Sequence, residues 1–477
     1  MKKAILVLAS VALGALLLSV AYTFGTLGGA PRFGQGSPPK PDFVFILADD
    51  MRYDELKYMP KTRSLLGAEG MSFNEAFVSD ALCCPSRATI LRGQYAHNTG
   101  VWTNDIGPNG GWEAYESHGN ESDNVATRLN DAGYSTGLFG KYFNGYRGTS
   151  VPPGWDEWFA TTTFYYFDYP VDRGGTTRHY GTDESDYSTD VLGRHTRQFI
   201  DTSVASGEPF FAYVAPVAPH WPATPAPRDL HTYDSDKAPR PPSFNERDVS
   251  DKPPRISRQP RLSANQIRQI DALHERRVES LQALDDLVEG VVKKLKNAGV
   301  LDNTYILFTS DNGWHFGEHR IEDEKWRPYE ESIHVPLLVR GPGVAAGSTT
   351  DKLALNTDFF PTFTDLAGIQ TPSYVDGRSL RPVLESSAST WRTAILLERR
   401  ISSSTSRASE YYGIRTDDGT KYVEYQGGFR ELYVLSRDPY ELSNEYDAAT
   451  PPAKLASRVR ALKACAGDSC RAAENGP

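Results

Sequence analysis

Apolar residues are spread along this chain in three different ways, and each way predicts a different element. The run Asp42-Phe43-Val44-Phe45-Ile46-Leu47-Ala48 is almost continuously β-branched or aromatic, which suits a strand buried on both faces of a parallel sheet. Thr304-Tyr305-Ile306-Leu307-Phe308-Thr309-Ser310 is a second strand of this kind. Gly137-Leu138-Phe139 and Phe210-Phe211-Ala212-Tyr213-Val214 are shorter candidates. From Ser263 to Asn297 the apolar residues recur at helical spacing instead, through Ile270, Leu273, Val278, Leu281, Leu284, Val288 and Leu295. Lys293, Lys294 and Lys296 crowd the C-terminal end of this helix, and Gly299 lies just past it. Beyond Asp376-Gly377-Arg378 the segments become short and alternating. Tyr411-Tyr412-Gly413-Ile414-Arg415 and Lys421-Tyr422-Val423-Glu424-Tyr425 flank an Asp-Asp-Gly turn, a hairpin signal. Leu432-Tyr433-Val434-Leu435 follows, and a helix from about Pro452 to Ala464 closes the pattern.

A helix feeding a buried strand that ends in acidic residues is the layout of an α/β enzyme. The expected fold is a large mixed, mostly parallel sheet sandwiched by helices over residues 42–380. A smaller C-terminal antiparallel α+β domain would occupy residues 381–477. Ligands in such folds gather beyond the carboxyl ends of the strands. The stretch from Pro222 to Arg261 is rich in Pro, Arg, Asp and Lys with no period, and reads as a long surface excursion. At the other end, Lys2 and Lys3 precede an unbroken apolar run from Ala4 to Tyr22. Residues 1–24 therefore read as a secretion signal or an uncleaved membrane anchor, and Gly- and Pro-rich residues 25–41 as a linker. Either reading places the folded body outside the cytoplasmic membrane.

The net charge of −10 over 477 residues argues against a nucleic-acid binder, which needs a basic face to displace counterions. A small anionic substrate is not excluded, because a few local cations can dominate a pocket. The four cysteines form two pairs. Cys465 and Cys470 frame a short loop that an exported chain could close with a disulfide. Cys83 and Cys84 are adjacent, and a strained vicinal bridge is a poor use for them. Spacing for a structural zinc site is absent.

Chemistry concentrates at a few positions. In Cys83-Cys84-Pro85-Ser86-Arg87-Ala88-Thr89-Ile90-Leu91-Arg92-Gly93 the proline suits the first turn of a helix, and Arg87 would share a face with Cys83. Asp49, Asp50, Asp311 and Asn312 end two buried strands and offer only oxygen donors, which calcium or magnesium prefers. Taken singly, these pairs would pass for a helix cap and an ordinary turn. Lys141, His220 and Lys325 are cationic or ionisable groups; Lys141 and His220 fall just past predicted strands, and such groups suit a transition state that gathers negative charge.

The eleven-residue string beginning at Cys83 matches the sulfatase signature, and the chain resembles type I sulfatases of the alkaline phosphatase superfamily. The resemblance is nearest to the N-acetylglucosamine-6-sulfatases and runs from about Pro41 to Arg471. It also takes in Phe139-Gly140-Lys141-Tyr142, Thr309-Ser310-Asp311-Asn312-Gly313-Trp314-His315, Val335-Pro336-Leu337-Leu338-Val339-Arg340-Gly341-Pro342-Gly343 and the Cys465–Cys470 pair. It implies that Cys83 is oxidised to formylglycine by a formylglycine-generating enzyme. One hydroxyl of the hydrated aldehyde attacks sulfur, and the second lets the enzyme eject sulfate, an exit that a serine lacks. It further implies one calcium ion held by Asp49, Asp50, Asp311, Asn312 and residue 83. Arg87 and Lys141 would stabilise the diol and the sulfate. Lys325 and His220 would contact sulfate oxygens, one of them protonating the leaving alcohol, and His315 would face the substrate sugar.

One departure stands out. Many sulfatases carry a histidine two residues after the lysine matched by Lys141, where it helps to eliminate sulfate. Here that position is Phe143, followed by Asn144, which leaves the base for that step open. Two rival readings remain on the same fold: a phosphate or phosphonate monoester hydrolase, and a non-catalytic surface protein that binds glycans. The first-choice substrate is a sulfated amino sugar carrying a 6-O-sulfate. Tyr165, Tyr166, Tyr169, His179 and Tyr180 could stack on sugar rings or simply pack a loop.

Overall fold

The continuous apolar runs form the middle of a ten-stranded sheet that is covered on both faces. A computed structural model describes residues 40–148, 150–401 and 409–476. Across the sheet the strands are Ser348–Thr350, Met71–Phe73, Leu337–Arg340, Thr304–Ser310, Asp42–Ala48, Phe210–Ala215, Ser135–Lys141, Glu157–Thr161, Tyr169–Arg173 and Thr176–Tyr180. The five from Thr304–Ser310 to Glu157–Thr161 run parallel, and antiparallel pairings appear on both flanks. Along Asp42–Ala48, Phe43, Phe45 and Leu47 enter one apolar cluster with Phe359, Phe360 and Phe363. Val44, Ile46 and Ala48 enter another with Leu281, Leu284 and Val288 of the helix Ala264–Asn297. Side chains alternate between faces along a strand, so a run with no polar position needs cover on both sides. The long helix begins where Ser263 and Gln266 form a capping box.

Strand register sets the height of the site. Ala48 lies opposite Ser310, and Gly140 opposite Ala215, so the carboxyl ends of four adjacent parallel strands stop at one level. A Cβ on Gly140 would come within 2.1 Å of the Ala215 carbonyl oxygen, so Lys141 can be delivered there only behind a glycine.

The C-terminal part forms an antiparallel sheet of Ala394–Arg399, Tyr411–Thr416, Thr420–Tyr425 and Arg430–Val434. The helices Ala453–Leu462 and Asp468–Asn475 follow, and Cys465 and Cys470 are joined by a disulfide with a Cα–Cα distance of 4.8 Å. This sheet starts later than residue 381. Val383 and Leu384 of the short helix Arg381–Leu384 pack beside Phe363 under the large sheet. Residues 222–261 contain only the short helices Pro227–Asp229 and Pro254–Ser257, and a bridge from Phe244 to Glu318 ties them to the loop beyond Asp311. No described helix is long and apolar enough to cross a membrane; the expected signal or anchor and nearly all of the linker lie outside the described residues.

Candidate functional site

Four neighbouring strand ends and one helix start converge. Asp49 and Asp50 follow Asp42–Ala48, Asp311 and Asn312 follow Thr304–Ser310, Lys141 ends its own strand, and His220 lies in the turn after Phe210–Ala215. Cys83 opens the helix Cys83–Arg92, where the partial positive charge of the helix end favours an anion. Its Sγ is wholly buried, 3.5 Å from Asp49 Oδ1, 3.8 Å from Asp50 Oδ1 and 2.9 Å from Lys325 Nζ. Cys83 and Cys84 are both free thiols.

The charges around the sulfur are paired tightly. Lys141 Nζ donates to Asp49 Oδ2 at 2.5 Å, and Arg87 Nε donates to Asp311 Oδ2 at 2.8 Å. Arg87 Nη1 also donates to the Lys141 carbonyl at 2.8 Å, which fixes the end of that strand. Lys325 Nζ and Asn312 Nδ2 both donate to Asp50 Oδ1, the latter at 2.7 Å. His220 Nε2 is 3.7 Å from Asp50 Oδ2, and its Nδ1 lies 2.6 Å from the Trp221 carbonyl. A carbonyl can only accept, so Nδ1 carries the proton and Nε2 is the free position of a neutral ring.

Burial and neighbouring charge set the ionisation. Burial works to raise the Asp49 and Asp50 carboxyls, but the cations around them more than reverse it and hold both below the usual range. Asp311 is pushed the other way, to about 6, by burial and by the Asp49 carboxylate. Burial pushes the Cys83 thiol up to about 12 against the pull of Lys141 and Lys325, so the encoded thiol is a poor nucleophile. Burial also opposes charge on Lys325, yet Asp50 outweighs it and the amine stays an ammonium ion. The His220 imidazole is held below its usual value, chiefly by burial.

The donor set fits a hard divalent cation. Asp50 Oδ2 and Asn312 Oδ1 are buried and have no hydrogen-bond partner among the described residues, which an oxygen-loving ion would supply. Ligand atoms of Asp49, Asp50, Cys83 and Asp311 lie within 4.8 Å of one another.

Two further positions singled out in the sequence are buried. His315 does not face an opening: its ring is wholly buried, with Nδ1 3.0 Å from Ser332 Oγ and 3.1 Å from the Glu324 carbonyl. Its backbone N–H donates to the same carbonyl at 2.9 Å, so His315 steadies the residue before Lys325, while its Nε2 is buried without a hydrogen-bond partner among the described residues. Phe143 turns away into the aromatic core, where it stacks on Tyr115 at 4.4 Å. Within the aromatic stretch, Tyr169 stacks on Tyr180 at the sheet edge, His179 pairs with Asp168, and buried Tyr166 donates to the His220 carbonyl. Of the four tyrosines named there, Tyr165 alone is exposed, as is His179.

Three residues near the site had been given no role from the sequence, although Trp314 lies within the quoted Thr309-to-His315 string. Phe164 stacks on His220 with ring centroids 5.1 Å apart and lies 4.9 Å from Lys141 Nζ. Trp314 lies 5.7 Å from Lys325 Nζ. Arg277, on the long helix, donates to the carbonyls of Asp50 and Pro219 and to Glu55. It thereby holds Asp50 in a left-handed backbone (φ 69°) that an aspartate adopts only when its surroundings insist. A charged residue between the apolar positions Leu273 and Val278 was the available signal.

Comparison with known proteins decides the family. The "Sulfatase" family model matches residues 41–369, and a model for the C-terminal part of N-sulphoglucosamine sulphohydrolase matches residues 317–463. The chain belongs to the sulfatase family. It is 34% identical to the N-acetylglucosamine-6-sulfatase of Capra hircus, over 91% of this chain and 85% of that one. Identity to the human N-acetylglucosamine-6-sulfatase is 33%, over 96% and 89%. This sulfatase is accordingly a sulfuric ester hydrolase. Its fold is shared with a protein solved in complex with its substrate D-glucosamine-2-N,6-O-disulfate (TM-score 0.76, 23% identity, 91% and 99% covered). A phosphonate monoester hydrolase of Silicibacter pomeroyi has it too (TM-score 0.68, 24% identity, 88% and 94% covered).

Proposed function

We propose that this sulfatase removes the 6-O-sulfate of N-acetylglucosamine or a closely related sulfated sugar, using a formylglycine made from Cys83 and one calcium ion. The observation that carries the mechanism is the setting of Cys83 Sγ, at a helix start between two carboxylates and the Lys325 amine. The sugar follows from the relatives named N-acetylglucosamine-6-sulfatase, which match nearly the whole chain.

Asp49, Asp50, Asp311 and Asn312 would hold the calcium, which supplies Lewis-acid polarisation of a sulfate oxygen and eases ionisation of the nucleophile. The formylglycine hydrate supplies one hydroxyl for attack on sulfur and a second whose deprotonation releases sulfate. Arg87 fixes Asp311 and the Lys141 carbonyl. Lys141 and Lys325, kept as ammonium ions, bind sulfate oxygens and offset charge as it builds. His220 moves the proton: with Nδ1 committed to Trp221, Nε2 takes the proton that the attacking hydroxyl gives up and passes it to the leaving alcohol, and it is then the base left for the second step, since Phe143 offers none. The buried thiol is out of an oxidising enzyme's reach once folded, so maturation precedes folding. Among relatives, a Caenorhabditis elegans protein named as a homologue of an extracellular sulfatase agrees with action outside the cytoplasmic membrane.

The test is a peptide mass together with an assay. Active protein should yield the residue-83 peptide about 18 Da lighter than the thiol form. It should also release sulfate from N-acetylglucosamine 6-sulfate much faster than it cleaves a phosphonate monoester. An intact thiol in active protein would sink the mechanism, and no release from the sugar would sink the substrate.

A further inference from the structure

Trp314 is fixed more firmly than a surface aromatic needs to be. Its backbone N–H donates to the Glu331 carbonyl at 2.8 Å, and its carbonyl accepts from Arg52 Nη1 at 2.8 Å. The half-buried ring lies against two cations, 5.7 Å from Lys325 Nζ and 5.6 Å from the Arg277 guanidinium. Phenylalanine or tyrosine could make that contact with the cations too, though less strongly. What neither could replace in kind is the indole N–H, and Nε1 is buried without a hydrogen-bond partner among the described residues. Buried donors are nearly always satisfied, so this one calls for an acceptor that arrives with a ligand. Trp155 and Trp326 also hold unpartnered indole nitrogens, but of the three it is Trp314 whose ring lies against Lys325.

Chemistry narrows the acceptor. Lys325 touches Cys83 Sγ and therefore meets the sulfate itself, so the neighbouring indole meets whatever lies next to the sulfate on the leaving group. A sugar presents hydroxyl or ring oxygens there, whereas an aryl sulfate presents carbon. We propose that Trp314 is a specificity-determining, substrate-binding residue whose Nε1–H donates to a hydroxyl or ring oxygen of the sugar bearing the scissile sulfate. The inference rests on the sugar-sulfate reading above and adds the group that tells a sugar from an aryl ester. Phe164, stacked on His220, borders the other side of the site.

The test compares kcat/KM on N-acetylglucosamine 6-sulfate with kcat/KM on 4-nitrophenyl sulfate. Trp314→Phe should lower the sugar-to-aryl ratio about tenfold or more, the effect of one hydrogen bond left unmade. Trp155→Phe, the same chemical change within the aromatic core, should leave the ratio as it is. A second arm needs no variant to fold. Among monodeoxy analogues of the sugar sulfate and one with its ring oxygen replaced by carbon, one should lose a similar factor with the unaltered enzyme and lose nothing further with Trp314→Phe. An unchanged ratio in Trp314→Phe, or equal losses on both esters, overturns the proposal, as does a full loss for every analogue in the variant. If the unaltered enzyme cleaves the aryl ester but not the sugar ester, the substrate reading fails and this inference falls with it.

Discussion

Asp50 and Glu431 are both wholly buried, yet their lone pairs are used in opposite ways. Glu431, on the small sheet, accepts from Tyr329 and Tyr433 on Oε1 at 2.8 and 2.7 Å and from Tyr425 on Oε2 at 2.5 Å. Asp50 accepts from Lys325 and Asn312 on Oδ1 but leaves Oδ2 without a hydrogen bond among the described residues, as does Asn312 on its Oδ1. Burial raises the Glu431 carboxyl, with the tyrosine hydroxyls pulling against it. Burial raises Asp50 too, but Lys325 and His220 overturn that and keep it ionised. Glu431 commits both its oxygens to its own chain. Asp50 leaves one open and relies on fixed cations to remain charged, as a group kept for a ligand would.

If the contrast is real, the site can be disarmed without unfolding the protein. Cys83→Ala should lower kcat on sulfate esters by at least about 10⁴-fold, the scale expected for a lost nucleophile, with little change in Tm. A large Tm drop alongside would mean the thiol packs the core first and serves chemistry second. Next in size is metal dependence. Chelation should abolish turnover and calcium restore it, and calcium should raise the Tm of the inactive Cys83→Ala protein, since an ion that binds only the folded state stabilises it. That rise should vanish in Asp50→Asn and persist in Glu431→Gln. Glu431→Gln itself should destabilise by about 3 kcal/mol, because a carboxamide cannot accept from all three hydroxyls, while kcat per folded molecule stays within about twofold. If Asp50→Asn and Glu431→Gln respond alike to calcium, the distinction between the two acids collapses.

The unequal legibility of the chain has the same physical root. Asp42–Ala48 and Thr304–Ser310 could be read because strands covered on both faces leave no polar position to confuse the pattern, and the acids ending them stand out. Cys83 was legible through a string that covalent chemistry fixes residue by residue. The strands of the edge hairpin, Tyr169–Arg173 and Thr176–Tyr180, were not, since the inner one is part-buried and the outer one mostly exposed, with no clean alternation. Their signal was Gly174-Gly175, both at positive φ, a two-residue hairpin turn. The full burial of His315 could not be foreseen, because a motif fixes spacing along the chain and not the side to which a ring turns. Phe164 had no signal, Arg277 only its charge on an apolar helix face, and Trp314 stood in a quoted string without a role, because each acts through a contact with another segment of the chain. Ala394–Arg399, an apolar run, marks the true start of the small sheet and was passed over.

His97 and His220 repeat the contrast with imidazoles, and this gives the smallest and most pH-sensitive effect. His220 commits Nδ1 to a carbonyl and keeps Nε2 free, whereas His97 commits both: Nδ1 lies 2.8 Å from Glu398 Oε2 and Nε2 lies 2.9 Å from the Cys465 carbonyl. Neither partner can donate, so His97 must carry both protons and a positive charge. Burial opposes that charge, but the Glu398 carboxylate and the Cys465 carbonyl outweigh it, with Asp376 adding to them, and raise the ring to about 9. Because the folded value exceeds the ordinary value of 6.5, the stabilisation is complete below about pH 6.5 and is lost as pH rises through about 9. Unfolding free energy should therefore fall across that window by on the order of 3 kcal/mol. His97→Gln should be less stable at pH 6 and lack this part of the slope. Wild-type and variant curves that stay parallel from pH 6 to 9.5 would show a neutral ring, and with it that a fully committed imidazole is no different here from one held open for chemistry.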